Sequence, residues 1–186
     1  MDIRSSYKNN DLNYGELIQT ILYLTKPKTI LEIGILDGYS LMNFVKATDP
    51  SFTQITAYDI FEKFNGNHSH EERIREMFKN NQHVEIQYGD FYEVHKSINN
   101  SELDLIHIDI ANNGDTYAYA IEHYLPKLSA RGIMLLEGGS KERDEVAWMT
   151  KYNKPKIDPL LAKYQELYNI KTIGRLPSLT LITKNN

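Results

Sequence analysis

The sequence predicts an α/β fold, a doubly wound, mostly parallel sheet with an antiparallel last strand and helices on both faces. Three observations carry this. From Thr29 to Glu137, short apolar runs alternate with segments of helical periodicity, the pattern of parallel strands joined by crossover helices. Within that span, Thr29 to Phe44 (TILEIGILDGYSLMNF) passes from a buried strand through Gly34 and Gly38 into a helix. Near the C-terminus two strand-like runs are joined only by GRLPS, a tight connection that suggests antiparallel pairing.

Taken in order, Met1 to Asn13 is polar and reads as a flexible arm or lid. Asn13 caps a helix from Tyr14 to Thr25, with Leu17, Ile18, Ile21, Leu22 and Leu24 as its apolar face, and Pro27 ends it. After the first strand, Tyr39 to Val45 forms a helix with Leu41, Met42 and Val45 on one side. A turn at Thr48 to Ser51 leads to the second strand, Gln54 to Ile60, with Asp59 at its carboxyl end. Phe61 to His70 is a polar loop, and Glu71 to Lys79 a charged helix carrying Ile74, Met77 and Phe78. Val84 to Tyr88 alternates like a strand, and Gly89-Asp90-Phe91 turns into a short helix reaching Ile98.

Leu103 to Asp109 is a buried strand ending in an acid, Ile110 to Asp115 a loop, and Thr116 to Leu128 a long amphipathic helix. Arg131-Gly132 reads as a turn into a fifth strand, Ile133 to Glu137, again ending in an acid. Gly138-Gly139-Ser140 then reads as a flexible turn, and Lys141 to Thr150 as a short helix around Trp148. Leu160 to Leu167 forms a further helix, before closing strands at Tyr168 to Ile173 and Leu179 to Thr183. Neither a repeat nor a linker interrupts the pattern, so residues 1–186 are read as one domain.

Composition narrows the function. A chain of 186 residues with 41% hydrophobic and 25% charged residues suits one soluble core. The net charge of −4 and the lack of a Lys/Arg run argue against nucleic acid as a partner, because phosphate binding needs a positive surface. With no cysteine, disulfides, thiolate metal sites and cysteine nucleophiles are excluded. No apolar run is long enough to span a membrane and no signal-peptide core opens the chain, so a cytoplasmic protein without a membrane partner is expected. The oligomeric state is open, and a homodimer is compatible with it.

Strand, glycine loop and helix together form a cradle for a nucleotide-bearing ligand. Glycine lets the backbone turn sharply and a ligand approach it closely, while free N–H groups at the helix start favour an anionic group. Glu32, inside the strand, is a poor neighbour for pyrophosphate and a good one for an ammonium. The loop lacks the G-x-G-x-x-G and G-x-x-x-x-G-K-[ST] spacings. A ligand carrying an amino acid, such as S-adenosylmethionine (SAM), is therefore favoured over NAD or ATP.

EIGILDGYS resembles the first motif of small-molecule O-methyltransferases, often written E-I-G-x-x-x-G-Y-S, and the pattern from Tyr14 to Lys184 is similar to class I SAM-dependent methyltransferases with a Rossmann-like sheet. The resemblance implies SAM contacts at Glu32, Gly34, Gly38, Tyr39 and Ser40. It also implies a ribose-binding acid at Asp59 with Ile60 beside it, adenine contacts at Asp90 and Phe91, and Asp109 at the end of the fourth strand. The catechol and caffeoyl-type members hold Mg2+ through an Asp ending strand four and an Asp-Asn pair ending strand five. In this chain Asp109 and Glu137 take the two acid positions, with Gly138 at the third ligand and Asn112 where catechol enzymes place a lysine base. Sugar and antibiotic-tailoring O-methyltransferases and cephalosporin hydroxylase-like proteins are similar too.

The expected activity is methyl transfer to a hydroxyl of a small molecule, a sugar or catechol-like compound, with Asp109 and His107 as catalytic candidates and Mg2+ as an added expectation. The alternative is a SAM- or nucleoside-binding module whose catalysis is lost or different.

Overall fold

A computed structural model describes residues 3–7, 12–63 and 65–185. The chain divides into two compact units, Met1–Ser97 and Ile98–Asn186. The fold class is the expected one: α/β and Rossmann-like, with mostly parallel strands, antiparallel C-terminal strands and flanking helices. Among the described residues no helix is long and apolar enough to cross a membrane.

In the first unit, Asn13 caps α1 (Tyr14–Thr25) by accepting the Glu16 N–H at 3.2 Å. Ile18, Ile21 and Leu22 bury the inner face, whereas Leu24, expected there, is 80% exposed. The helix stops where Lys26 turns left-handed and its N–H returns to the Leu22 carbonyl at 2.8 Å, just before Pro27. β1 (Thr29–Ile33), β2 (Gln54–Asp59) and β3 (Val84–Tyr88) pair in parallel in the order β3-β2-β1. Ile30, Leu31, Ile33, Ile55 and Ala57 are buried, and each fully buried Leu or Ile contributes roughly 1.5–3 kcal/mol. The connecting helices are α2 (Tyr39–Ala47), α3 (Glu71–Phe78) and α4 (Phe91–Val94), the last followed by one 3-10 turn, His95–Ser97.

The expected flexible arm falls partly outside the described residues, at positions 1, 2 and 8–11. Of its described part, Arg4 is bonded to Asp37, and Tyr7 is buried with its ring 5.3 Å from that of Tyr14.

In the second unit, β4 (Leu103–Ile108) runs parallel to β5 (Leu128–Glu137). β7 (Ser178–Lys184) lies between β5 and β6 (Tyr168–Gly174), antiparallel to both. The single helix expected over Thr116 to Leu128 is instead three pieces. α5 (Gly114–Tyr119) passes into a π-helical segment, Ala120–Tyr124, and a 3-10 turn, Leu125–Lys127, where Pro126 supplies no N–H to continue an α-helix. Arg131-Gly132 is not a turn before the fifth strand but lies within β5. That strand bulges between Leu128 and Ile133 while β4 advances only from Leu103 to Leu105. The helix expected around Trp148 is two short ones, α6 (Lys141–Asp144) and α7 (Ala147–Lys151), and α8 (Asp158–Tyr164) starts earlier than the sequence suggests.

Candidate functional site

The glycine loop is held by two acids, only one of which sequence reasoning singled out. Gly34 and Gly38 take φ of 93° and 80°, the left-handed region that excludes most side chains. A Cβ at Gly38 would also lie 3.0 Å from the Phe78 ring. Leu36, between them, takes φ 49°, which costs a branched residue roughly 1–2 kcal/mol and persists only because the loop is bonded on every side.

Asp59, 6% exposed, supplies much of that bonding. Its Oδ2 accepts the N–H groups of Ile35 and Leu36 at 2.7 and 3.1 Å. Its Oδ1 accepts the Phe61 N–H and Asn67 Nδ2, each at 2.8 Å. A carboxylate offers about four acceptor sites, and all four are used. Ile60, half-buried, follows directly.

Asp37 is the second acid, 1% exposed in the middle of the loop. Arg4 donates to it from its backbone N–H at 2.8 Å, from Nε at 2.7 Å and from Nη2 at 2.9 Å. Arg73 of α3 makes a further, short contact from the other side. Arg4 above all holds the Asp37 carboxyl well below the usual carboxylate range, against the effect of burial. A lone Asp between glycines in a sequence shows neither arginine, so the clamp was not foreseen.

Glu32 is fully buried on β1 and accepts the Ser40 hydroxyl at the start of α2. Tyr39 is half-buried beside it in the chain. Asp90 is exposed and caps α4, its Oδ1 accepting the Tyr92 N–H at 2.8 Å. Phe91 is 4% exposed, edge-on to Tyr92 with ring centres 5.0 Å apart.

In the second unit, Asp109 follows the end of β4 and Glu137 ends β5. The two acids feel each other electrostatically, and His107, buried inside β4, is also within reach of Glu137. Glu137 is 3% exposed and forms a two-point bridge with Arg143 of α6: Nε to Oε1 at 2.7 Å and Nη2 to Oε2 at 2.9 Å. Burial pushes the Glu137 carboxyl up to about 7; the hydrogen bonds of Arg143 oppose this, and the charge of Asp109 adds to it. Burial works against the Arg143 cation, yet the hydrogen bonds and charge of Glu137 outweigh it and leave its pKa raised.

Several groups fix this pair. Ser140 caps α6, its Oγ accepting the Arg143 N–H at 3.0 Å, so the GGS segment is a bonded corner rather than a flexible turn. The Trp148 ring lies 5.2 Å from the guanidinium carbon. Asn112 is a strut, its Nδ2 donating to the carbonyls of Ile108 at 3.0 Å and Glu137 at 2.9 Å. The Tyr117 hydroxyl donates to the Glu137 carbonyl at 3.1 Å, and burial raises its pKa well above the ordinary value. Arg143 was missed from the sequence because nothing in KERDEV marks which charge turns inward.

The residues do not fit the expected divalent cation. A cation at Asp109 and Glu137 would need carboxylate oxygens free to coordinate it, and both oxygens of Glu137 are bonded to Arg143. At the third ligand position Gly138 has φ 103°, and a Cβ there would lie 3.0 Å from Ile157, so a coordinating side chain is sterically disfavoured. Asp115, in the first turn of α5, is exposed. Among the described residues no group of three or more His, Cys, Asp or Glu side chains is placed to hold a metal.

Residues 31–137 match the family model described as a methyltransferase domain. No curated protein matches the chain. Among solved structures, the chain is similar to an SAH-bound methyltransferase from Podospora anserina, with a TM-score of 0.70, 21% identity, and 96% of this chain and 81% of that chain covered. It is also similar to a putative caffeoyl-CoA O-methyltransferase from Staphylococcus aureus, with a TM-score of 0.65, 19% identity, and 96% and 86% covered. An O-methyltransferase from Bacillus cereus in complex with SAH gives a TM-score of 0.68 at 16% identity, with 97% and 84% covered. At these identities the likeness is one of fold.

Proposed function

The chain belongs to the methyltransferase-domain family, and from that premise we propose that it works as one cytoplasmic domain transferring the SAM methyl group to a hydroxyl of a small molecule, a sugar or catechol-like compound. The observation that carries this reading is the loop between β1 and α2, in which two glycines at positive φ follow a strand bearing the buried carboxylate of Glu32. That is the chemistry for an ammonium-bearing nucleoside, and the SAH held by two fold neighbours supports it.

In this reading Glu32, Gly34, Gly38, Tyr39 and Ser40 hold the amino-acid end. Asp59 and Ile60 serve the ribose, and Asp90 and Phe91 the adenine. Because Asp59 is already saturated, a ribose hydroxyl would take the place of Asn67, the one side-chain donor among its four partners. SAM supplies a methyl carbon activated by its sulfonium, so the protein's work is to align the acceptor oxygen and remove its proton. A C–O bond forms as the C–S bond breaks, and the hydroxyl proton passes to Asp109 or His107.

Isothermal titration with SAM, followed by methylation of a panel of catechols, caffeate and hexoses, tests the proposal. SAM binding with turnover of a hydroxyl acceptor is expected. Binding without any turnover would favour a SAM-binding module, and no binding would refute the reading.

A further inference from the structure

We infer that Arg143 takes the place of a divalent cation at the end of β5, and that its guanidinium is what keeps Mg2+ or Mn2+ off Glu137. The inference rests on the methyltransferase reading only for why a cation would be expected there. A guanidinium meeting a carboxylate at two points satisfies both oxygens at once, and at 2.7 and 2.9 Å neither is left for a metal.

The bridge is also hard to displace. Arg143 is 6% exposed, its backbone is fixed by the Ser140 cap, its Nη2 reaches the Asn112 carbonyl at 3.3 Å, and the Trp148 ring lies against its guanidinium. Asp109 lies close enough for its charge to act on both Glu137 and Arg143, so one fixed cation already serves two acids. In a metal site the ion would neutralise the acids. Here a side chain with a permanent charge takes that task.

The test uses Mn2+ alone, titrated into the full chain in mildly alkaline buffer and followed by electron paramagnetic resonance. Wild type is expected to show no stoichiometric site, and Arg143→Met, which uncovers Glu137 beside Asp109, is expected to gain one that Glu137→Gln removes. Should Arg143→Met fail to fold, Arg143→Gln keeps a donor for Glu137 while removing the charge, and the same gain is expected. A stoichiometric Mn2+ site in wild type that Glu137→Gln abolishes would overturn the inference. So would folded Arg143 variants that gain no site, since the exclusion would then come from the missing third ligand. No arm needs SAM or acceptor, so failure here is separable from failure to bind SAM.

Discussion

Asp37 and Glu137 are both buried acids bonded to arginine, and their carboxyls are driven in opposite directions. Asp37 meets two arginines, Arg4 from the segment before α1 and Arg73 from α3, and is held below the ordinary carboxylate range. Glu137 meets one arginine and has a second acid, Asp109, nearby, and burial carries it up to about 7. The difference teaches that an ion pair alone does not set a carboxyl's state; the balance of burial and neighbouring charges does. It also separates roles. The first acid fixes a loop in the first unit, whereas the second is tied at two points to Arg143 at the end of β5.

The largest expected effect breaks the second pair. Arg143→Met leaves Glu137 buried without its fork and should lower stability by about 3–5 kcal/mol, measured by urea denaturation. Arg4→Ala should cost clearly less, because its side chain is 51% exposed and Arg73 remains on Asp37. Equal losses would mean that burial does not distinguish the two pairs.

Asp59→Ala comes next. It strips the shared acceptor from Ile35, Leu36, Phe61 and Asn67, and a loss of roughly 3 kcal/mol is expected from the stranded donors. SAM affinity should fall as well, so the sharper variant is Asn67→Ala, which leaves the loop's backbone bonds intact. If a ribose hydroxyl takes the place of Asn67, this variant should bind SAM at least as tightly as wild type; weaker binding would argue against the exchange.

Titration gives a third, smaller test, with opposite signs for the two acids. The Asp37 contribution is present above its unfolded value of 3.8 and is lost as pH falls below it, because the folded carboxyl resists protonation. Glu137 has its folded value raised from 4.5 to about 7, so between these values the folded state binds the extra proton and stability falls as pH rises. Urea midpoints against pH should therefore lose part of their acid limb in Asp37→Asn and part of their neutral decline in Glu137→Gln. Parallel shifts in both variants would contradict the comparison.

Much of the fold was legible because strand periodicity and helix stops are local signals: β1 to β3, α1 and the closing pair stand within a residue or two of their expected bounds. What escaped was set by tertiary partners. Leu24 falls on the apolar face expected for α1 but is 80% exposed, although Leu22 in the same final turn is buried. Arg131-Gly132 reads as a turn, yet the pairing of β5 with β4 draws it into the strand as a bulge. In the site, the acids were visible and their partners were not. Arg4 is 33 residues from Asp37, and Arg143 sits on a four-residue helix with no hydrophobic pattern to orient it.

The smallest expected effect concerns Asp90, where structure and binding can be pulled apart. Its side chain caps α4 through the Tyr92 N–H, while its backbone carbonyl accepts from Glu93 and Val94 at 2.9 Å each, so the helix start depends on it locally. Asn caps about as well as Asp. Asp90→Asn should therefore change stability by less than about 0.5 kcal/mol. An adenine amine, however, would lose a charged acceptor and keep a neutral one, a difference of about 1 kcal/mol or several-fold in affinity. Calorimetry of SAM binding beside a thermal melt reads both. A weaker complex at unchanged melting temperature places Asp90 on the ligand. Unchanged affinity confines it to capping, and the exposed carboxylate would then belong with Asp37 and Asp59 among the acids that shape the first unit.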